Sequence, residues 1–349
     1  MRVYQISAFL ATFSLLFSHF CYTFHMQYRI IPVSEIESSD PSFWQSPTWA
    51  DILMESGQAR EVFYYGDMQS TYLLVEIRSV WLGFFGAFSL GVSHYQIGSD
   101  WDSLILSLQK ELKSRNLLFL QIEPIDVEVK RNNTQKLYKK FLTPYTRVLD
   151  LTIAEDEILA QMHEKWRYNI RTAIKRGVVT ERADTTRDNI DIWMKLFSDT
   201  LIRDGFTGNS REYYEIFIRN LEKTNQWWLY FARFEGRVIA AGIFVFAPDR
   251  AIYYYGASSS ESSDRRVFGS YLLQWEAIRI ARDHGSKIYD YLGISSPHDT
   301  SDALAGVSFF KSRFGGKVVA LPTKILYPLT WKYSIFSTLQ RIKNLLKRR

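Results

Sequence analysis

Residues 227–256 read WWLYFARFEGRVIAAGIFVFAPDRAIYYYG, and this stretch decides the fold. Trp227 to Phe234 and Val238 to Phe246 are rich in aromatic and β-branched residues, and they flank the two-residue turn signal Glu235-Gly236. Pro248-Asp249 then turns the chain into a third apolar run that ends at Gly256. The stretch therefore predicts a three-stranded antiparallel meander.

Working outward, the pattern predicts a strand over 146–153, a helix over 155–176, and helices near 187–203 and 210–223. After the meander it predicts a helix over 269–284, capped by Gly285, and a strand over 287–292. This is the element order of an N-acetyltransferase-type (GNAT) domain. Upstream, strands are predicted at 62–66, 70–77, 80–86 and 117–123 around a helix from 99 to 115, so the first 145 residues read as a second, shorter copy. The predicted class is α/β (α+β), with two GNAT-like domains in tandem and mixed sheets flanked by helices.

The amino-acid composition excludes several classes of functional site. Of 349 residues, 46% are hydrophobic and 23% charged, which is ordinary for a globular protein, but aromatic residues reach 16% and suit clefts for extended ligands. The single cysteine, Cys21, excludes a disulfide framework and a cysteine-based zinc site. The six histidines form no His-x-x-x-His pair, and no Walker loop is present, so no metal and no cofactor are predicted.

The net charge of +6 is concentrated at the C-terminus. Residues 331–349 carry six cations and no acid, so the rest of the chain balances to zero and is not a general polyanion binder. This tail has helical periodicity, with an apolar stripe formed by Trp331, Ile335, Leu339, Ile342 and Leu346. A basic amphipathic helix with a tryptophan is typical of a segment lying on an anionic membrane surface. The alternative is a helix docked on its own domain.

Within the N-terminal segment 1–26, residues 6–24 are apolar and follow Arg2. The segment lacks the small-x-small cleavage site of a signal peptide and is marginal for a membrane-spanning helix. Because Met26 opens an ordinary domain start, the segment is interpreted either as a membrane anchor or as a mis-called start.

The predicted helix over 155–176 carries the densest local cluster of cations. This basic patch is a candidate for binding RNA phosphates, although such clusters are usually solvated faces. Its members are Lys165, Arg167, Arg171 and Lys175.

Residues 306–316, GVSFFKSRFGG, place Lys311 among aromatic residues before a glycine pair. A cation in a partly solvent-excluded place stabilises an anion far better than one on an open surface. The alternative is a surface helix whose lysine is solvated. Nearby, Arg266 and Gly269 partly match the coenzyme A pyrophosphate motif of GNAT enzymes, but Tyr271 stands where a small residue is needed. The domain is therefore interpreted as GNAT-shaped without coenzyme A.

The chain resembles the FemA/FemB/FemX family of peptidoglycan bridge-forming aminoacyl and peptidyl transferases. The resemblance covers most of residues 27–320 and rests on an ordered set of motifs. They are Phe43-Trp44-Gln45-Ser46 with Trp49, Lys165-Trp166-Arg167-Tyr168-Asn169-Ile170, Tyr254-Tyr255-Gly256-Ala257-Ser258, Leu272-Leu273-Gln274-Trp275-Glu276, Tyr289-Asp290, Gly293-Ile294, and Phe310-Lys311 with Phe314-Gly315-Gly316.

The resemblance implies two GNAT-like domains, here 27–145 and 146–320, with residues 321–330 returning to the first and 331–349 forming the tail. It implies transfer of an amino acid from aminoacyl-tRNA to a stem-peptide amine of a lipid-linked or nucleotide-linked peptidoglycan precursor, at the inner face of the cell membrane. Lys311 matches the family's catalytic cation, and Tyr255, with Tyr254 beside it, would line the precursor site. Phe310, which precedes the lysine, is assigned to the same site, with packing as the alternative.

Two further residues are candidates for this site. The resemblance also implies an arginine, in the segment before the hairpin, that binds precursor phosphate, and Arg211 is the candidate. Asp290 either assists proton transfer or is a structural carboxylate at a strand end.

Two departures from the family pattern stand out. Phe88-Ser89-Leu90-Gly91 replaces a Gly-Pro turn of the first domain, and the second domain has no room for a long helical arm. Two other functions stay open: an acyl-coenzyme A-dependent acyltransferase acting on an envelope saccharide, and a non-catalytic membrane-surface binding protein.

Overall fold

The computed structural model describes residues 28–36, 42–67, 71–94, 101–128, 136–224, 226–297 and 302–346. The hydrophobic segment 1–26 lies outside these residues. Within them, no helix is both long enough and apolar enough to cross a membrane.

The first sheet has six strands in the order β1-β2-β3-β4-β5-β13. Its strands are β1 (Arg29–Ile31), β2 (Glu61–Gly66), β3 (Tyr72–Ser79), β4 (Phe85–Val92), β5 (Phe119–Pro124) and β13 (Ile325–Pro328). Its helices are α1 (Pro47–Glu55) and α2 (Trp101–Ser114). Strands β4 and β5 are parallel, joined through α2, and the remaining pairs are antiparallel.

The second sheet has seven strands in the order β12-β6-β11-β10-β9-β8-β7. They are β6 (Tyr145–Asp150), β7 (Val179–Ala183), β8 (Trp227–Phe234), β9 (Arg237–Phe246), β10 (Arg250–Ser258), β11 (Ile288–Ile294) and β12 (Lys317–Ala320). The helices are α3 (Glu155–Gln161), α4 (Glu164–Lys175), α5 (Arg187–Asp204), α6 (Arg211–Glu222), α7 (Ser262–Arg265), α8 (Gly269–Asp283), α9 (Ala305–Ser312) and α10 (Lys332–Leu346).

The two sheets repeat one topology. In each, an antiparallel meander (β2-β3-β4 or β8-β9-β10) is followed by a helix and then by a strand parallel to the last strand of the meander. The predicted fold class, two mixed sheets flanked by helices, is confirmed. The strand β13 pairs with β5, so the chain returns to the first sheet before α10.

Three apolar cores hold the architecture together. One packs α2 against the first sheet, and another packs α3, α4 and α8 against the second. The third and largest core joins both halves and includes Trp44, Phe88, Phe217 and Ile252. Because this core is shared, the halves meet across a buried interface, and the cavity described below lies beside it.

Two predicted elements were wrong, and one strand was not predicted. The strand placed at 80–86 is a 3-10 turn at Trp81–Gly83 followed by β4, because Leu82 and Gly83 adopt positive φ. The helix placed at 155–176 is broken between α3 and α4, where the His163 ring accepts a hydrogen bond from the Lys165 amide and caps α4. The strand β7 was missed.

Candidate functional site

The two parallel strands at the centre of the second sheet separate partway along their length. β10 and β11 pair only from Arg250↔Ile288 to Ile252↔Asp290, after which β10 stays with β9 and β11 stays with β6. The β11–β6 register shifts between Asp290 and Gly293, and Leu292 adopts φ +54° inside this bulge. Bulges redirect backbone groups away from the ladder. Because the strands separate, backbone groups at the end of β11 can form hydrogen bonds with partners other than β10.

Asp290 fixes this bulge. Its carboxylate accepts a hydrogen bond from the Thr146 hydroxyl and one of 2.8 Å from the Leu292 amide, and it pairs with Arg250 at 2.6 Å. The side chain is almost fully buried. A buried carboxylate that accepts this many hydrogen bonds is held in one position.

Lys311 lies against the same bulge. Its ammonium group donates to the Gly293 carbonyl oxygen at 2.8 Å and lies 3.5 Å from that of Leu292, and it stands 5.9 Å from the centre of the Tyr253 ring. The residue is only 7% exposed. Burial lowers the pKa of Lys311 to about 8, partly opposed by the charge of Asp290. The predicted solvent-excluded cation is therefore present.

The glycine pair after α9 brings this helix onto the sheet. Gly315 and Gly316 have φ +92° and +73°, and a Cβ on Gly316 would lie 2.3 Å from the Val148 carbonyl oxygen of β6. Arg147 donates to both glycine carbonyl oxygens, at 3.0 and 2.7 Å. Only glycine combines this conformation with so close an approach. The Phe-Gly-Gly motif is thus a packing requirement that keeps α9, and with it Lys311, against β11.

A cavity of about 580 Å³ opens beside the bulge, between the two halves of the molecule. Asp290, Leu292 and Gly293 line one part of it. Lys311 is not itself a lining residue, but its ammonium group contacts the carbonyl oxygens of Leu292 and Gly293, which line the cavity. The other lining side chains are largely aromatic or basic, among them Trp44, Arg78, Phe88, Tyr138, Lys139, Lys140, Phe141, Tyr213, Tyr254 and Tyr255.

The predicted substrate tyrosines line this cavity. Tyr254 packs against Phe43 and Phe217, and Tyr255 packs against Phe197 and Phe217. Burial raises the pKa of both phenols well above the ordinary value, so both stay neutral. They offer hydroxyl groups and ring faces to a ligand, but no charge.

Phe310 and Arg211 lie elsewhere. Phe310 packs on Tyr271 and Phe314, in the core on the α8 side of the sheet. Arg211 opens α6 on the surface, where it pairs with Asp191 and with Glu215 at 2.7 Å. Arg211 is outside the cavity lining, and its role stays a prediction.

The predicted basic patch lies on α4. Lys165, Arg171 and Lys175 are exposed, whereas Arg167 donates to carbonyl oxygens at the end of α3, including that of Met162. Arg167 therefore joins α3 to α4. The other three leave an exposed basic face.

Side chains pack closely around Gly269 and Tyr271, the positions compared above with the coenzyme A motif. A Cβ on Gly269 would lie 2.6 Å from the Ile239 side chain, so this glycine serves helix–sheet packing. The Tyr271 ring packs against Trp166 at 5.1 Å and against Phe310 at 5.4 Å between ring centres. The start of α8 is therefore covered by aromatic side chains.

Sequence reasoning missed several residues of this site. Thr146 and Arg250 hold Asp290, and Arg78, Lys139 and Lys140 bring positive charge to the cavity. The adjacent lysines in the connection before β6 were the one available signal. Among the described residues, no group of three or more His, Cys, Asp or Glu side chains is arranged to hold a metal ion.

Comparison with known proteins agrees with this architecture. The model of the FemAB family matches residues 138–235 and 232–341, more than half of the chain. The chain belongs to the FemAB family. The resemblance inferred from the motifs is confirmed.

Individual relatives extend this picture. "Aminoacyltransferase FemA" of Staphylococcus epidermidis is 33% identical over 106 residues, which is 30% of this chain and 25% of the relative. FemA of Staphylococcus aureus (strain MW2) is 30% identical over 107 residues, again covering 30% and 25%. The match thus spans about a quarter of these relatives. The crystal structure of FemX superposes with a TM-score of 0.76 at 18% identity, covering 90% of this chain and 99% of FemX, and shows that the fold is shared.

Proposed function

We propose that this FemAB-family protein transfers an aminoacyl group from aminoacyl-tRNA to the amino group of a peptidoglycan-precursor stem peptide. The observation that carries the proposal is the buried Lys311 ammonium at the end of β11, one residue from a cavity large enough for part of an extended acceptor. Family membership and the two relatives named aminoacyltransferase support the same reaction class.

The reaction needs little from the protein beyond alignment and charge. The neutral acceptor amine attacks the ester carbonyl carbon of the aminoacyl-tRNA, forming a C–N bond and a tetrahedral oxyanion. Collapse of the intermediate breaks the ester C–O bond, and the tRNA oxygen leaves, taking the proton that the amine loses and so becoming the free hydroxyl. Because both reactants are already reactive, the enzyme has to orient them and stabilise the oxyanion.

Lys311 is assigned to the oxyanion. With a pKa of about 8, roughly ten ammonium groups are present for each neutral amine at pH 7. The bulge carbonyls hold it in place, and little water competes for its charge. Asp290 is assigned to holding the bulge and supporting the charge of Lys311, since its oxygens are already committed to Thr146, Arg250 and the Leu292 amide.

The exposed residues of the basic patch, Lys165, Arg171 and Lys175, are assigned to tRNA phosphates. Tyr254 and Tyr255 are assigned to the acceptor, since both line the cavity. No cofactor enters the proposed reaction. The coenzyme A alternative is disfavoured by Tyr271, whose packing covers the helix start that would have to approach a pyrophosphate.

The C-terminal helix α10 is assigned to an anionic membrane surface, placing the protein at the cytoplasmic face of the membrane. Tyr333 and Phe336 anchor α10 on the first half of the molecule, whereas the stripe named from the sequence stays exposed, from Leu339 at 41% to Trp331 at 72%. One face of α10 therefore docks on the chain, and its other face is exposed, which supports the proposed membrane contact. Lys332, Arg341 and Lys343 with no acid complement anionic lipid.

A transfer assay tests the proposed reaction. The purified chain is incubated with mixed aminoacyl-tRNAs and a peptidoglycan precursor, and the precursor is analysed by mass spectrometry. A mass increase of one or more aminoacyl residues is expected. If no tRNA supports transfer but an acyl-coenzyme A does, the proposal is wrong and the alternative acyltransferase is correct.

A further inference from the structure

We propose that Lys139 and Lys140, together with Arg78, form a subsite for the phosphate of the acceptor. The inference rests on the proposed function and adds to it the part of the cavity that recognises the acceptor's charge. All three residues line the cavity whose other part is formed by Asp290, Leu292 and Gly293. An acceptor anchored by phosphate at these cations can extend along the aromatic wall towards the bulge that holds Lys311.

Two of the cations converge on one aromatic ring. The guanidinium of Arg78 lies 4.8 Å from the centre of the Phe141 ring, and the ammonium of Lys139 lies 5.2 Å from the same point. Their charged groups are therefore within about 10 Å of each other, since each lies about 5 Å from the shared ring. Lys140 follows directly in the chain. A diphosphate is long enough to reach both charged groups even at the upper limit of this distance.

The backbone that carries the lysines is fixed by buried polar residues of β5. Glu123 accepts from the Phe141 and Leu142 amides, at 3.1 and 2.9 Å. Gln121 donates to the Lys139 carbonyl oxygen at 2.6 Å and accepts from the Tyr138 amide at 3.0 Å. Both side chains are fully buried. The segment is thus preorganised, which reduces the entropic cost of binding.

Charge balance at the cavity also favours an anion. The carboxylate of Asp290 is committed to Arg250, and Arg78 is paired with the buried Glu76 at 2.6 Å. Lys139 and Lys140 are exposed, and no carboxylate in the described part of the chain forms an ion pair with either. Two uncompensated positive charges therefore remain at the cavity. By contrast, Arg211 is already held by two carboxylates.

The same segment adjoins the proposed membrane surface. The Tyr138 hydroxyl accepts from the Trp81 amide, its ring lies 5.9 Å from that of Phe336 on α10, and the Tyr333 hydroxyl donates to the Lys136 carbonyl oxygen. A phosphate at a lipid headgroup would reach the lysines from this side, and a nucleotide diphosphate would reach them from solution. Both acceptors share the chemistry that the subsite recognises.

Binding measurements without aminoacyl-tRNA test the subsite, so that no turnover occurs. Three probes are compared: a lipid-linked precursor in detergent micelles, a nucleotide-linked precursor, and the corresponding saccharide peptide without phosphate. The test variant combines Lys139→Gln with Lys140→Gln. The control combines Lys110→Gln with Lys113→Gln, which removes the same charge from exposed positions on α2.

The double variant is expected to lose roughly tenfold to a hundredfold in affinity for whichever phosphate-bearing precursor the wild type binds, and nothing for the phosphate-free probe. The control keeps wild-type affinity for all three. The lipid-linked and nucleotide-linked arms show which source supplies the phosphate.

Unchanged affinity of the double variant, or an equal loss on the phosphate-free probe, overturns the subsite while the proposed reaction stands. Failure of the wild-type chain to bind any of the three probes would instead remove the proposed function itself, and the subsite with it.

Discussion

The ammonium of Lys311 lies 2.8 Å from the carbonyl oxygen of Gly293, a residue that also lines the cavity between the two halves of the molecule. Through this contact, the buried cation named from the family motif lies next to the cavity in which an acceptor can bind. It arises because β11 leaves β10 at a bulge and α9 packs against the freed strand end. The strand end is therefore the structural basis of the proposed reaction.

Replacing Lys311 by Met is expected to lower kcat for aminoacyl transfer by about a hundredfold to a thousandfold, the usual effect of removing an oxyanion-stabilising group. Precursor affinity is expected to stay near wild type, because the oxyanion that Lys311 would stabilise forms only during transfer. Single-turnover transfer and equilibrium binding measure the two quantities. Lys317→Met, at an exposed lysine on β12, is the matched control. Wild-type kcat in Lys311→Met would show that Lys311 does not stabilise the oxyanion.

The buried charge of Lys311 also predicts a pH-dependent stability difference. Burial lowers its folded-state pKa from 10.5 to about 8, so the unfolded chain binds the proton more tightly. Stability from this group therefore rises as pH increases from about 8 to 10.5 and is constant below that window. The free energy of unfolding of the wild type minus that of Lys311→Met should follow this curve in urea titrations, where other titrating groups cancel. A flat difference would mean that Lys311 is not desolvated.

Replacing Asp290 by Asn separates a positioning role from a direct proton-transfer role. The charge of Asp290 opposes the effect of burial on Lys311, so its removal should lower the Lys311 pKa below about 8. Because the proposed reaction needs the ammonium, the alkaline limb of the pH profile of kcat/KM should move to lower pH. Stability should also fall, since Arg250 loses its buried partner. Asp283→Asn, at an exposed position on α8, serves as the control. An unmoved alkaline limb would argue against this coupling.

Much of the second half of the fold was predictable because its signals are local. The strands β8, β9 and β10 are apolar runs separated by short turn sequences, and α8 ends beside Gly285, so neighbouring residues define each element. β7 was missed because four of its five residues are solvent-accessible, and its pattern lacks the alternation typical of a half-buried strand. It forms a strand because it pairs with β8, at the edge of the second sheet.

The residues of the candidate site also differ in how far the sequence could predict them. Lys311 and Tyr255 lie in motifs that can be recognised in order along the chain. Lys139 and Arg78 are 61 positions apart in sequence, and both pack against the ring of Phe141 in the folded molecule. No local sequence pattern predicts that these two side chains share a contact with Phe141. The commitment of Asp290 to Thr146, across two strands, was equally invisible from the sequence.

Replacing Gly316 by Ala is expected to destabilise the protein more than the same change at Gly177. Both residues have positive φ, but a Cβ meets nothing within 4 Å at Gly177, whereas at Gly316 it meets the Val148 carbonyl oxygen at 2.3 Å. Gly177→Ala therefore reports conformational strain alone, about 1–2 kcal/mol. Gly316→Ala should cost about 3 kcal/mol or more, because the backbone of β12 or β6 must also move. Equal midpoints in urea denaturation would contradict this account of the glycine pair.

The exposed face of α10 predicts binding to anionic vesicles. Ile335 and Ile342 are 53% and 50% exposed, so replacing both by Ser leaves the docked residues Tyr333 and Phe336 untouched. If both side chains enter the interface, each change should weaken vesicle binding roughly tenfold, the usual value of a buried aliphatic side chain. Leu106→Ser, at a 55% exposed leucine on α2, is the matched control. Sedimentation with vesicles of increasing anionic lipid content measures the effect, and added salt should weaken wild-type binding because Lys332, Arg341 and Lys343 contribute charge. Equal sedimentation of wild type and double variant would show that α10 does not contact the membrane.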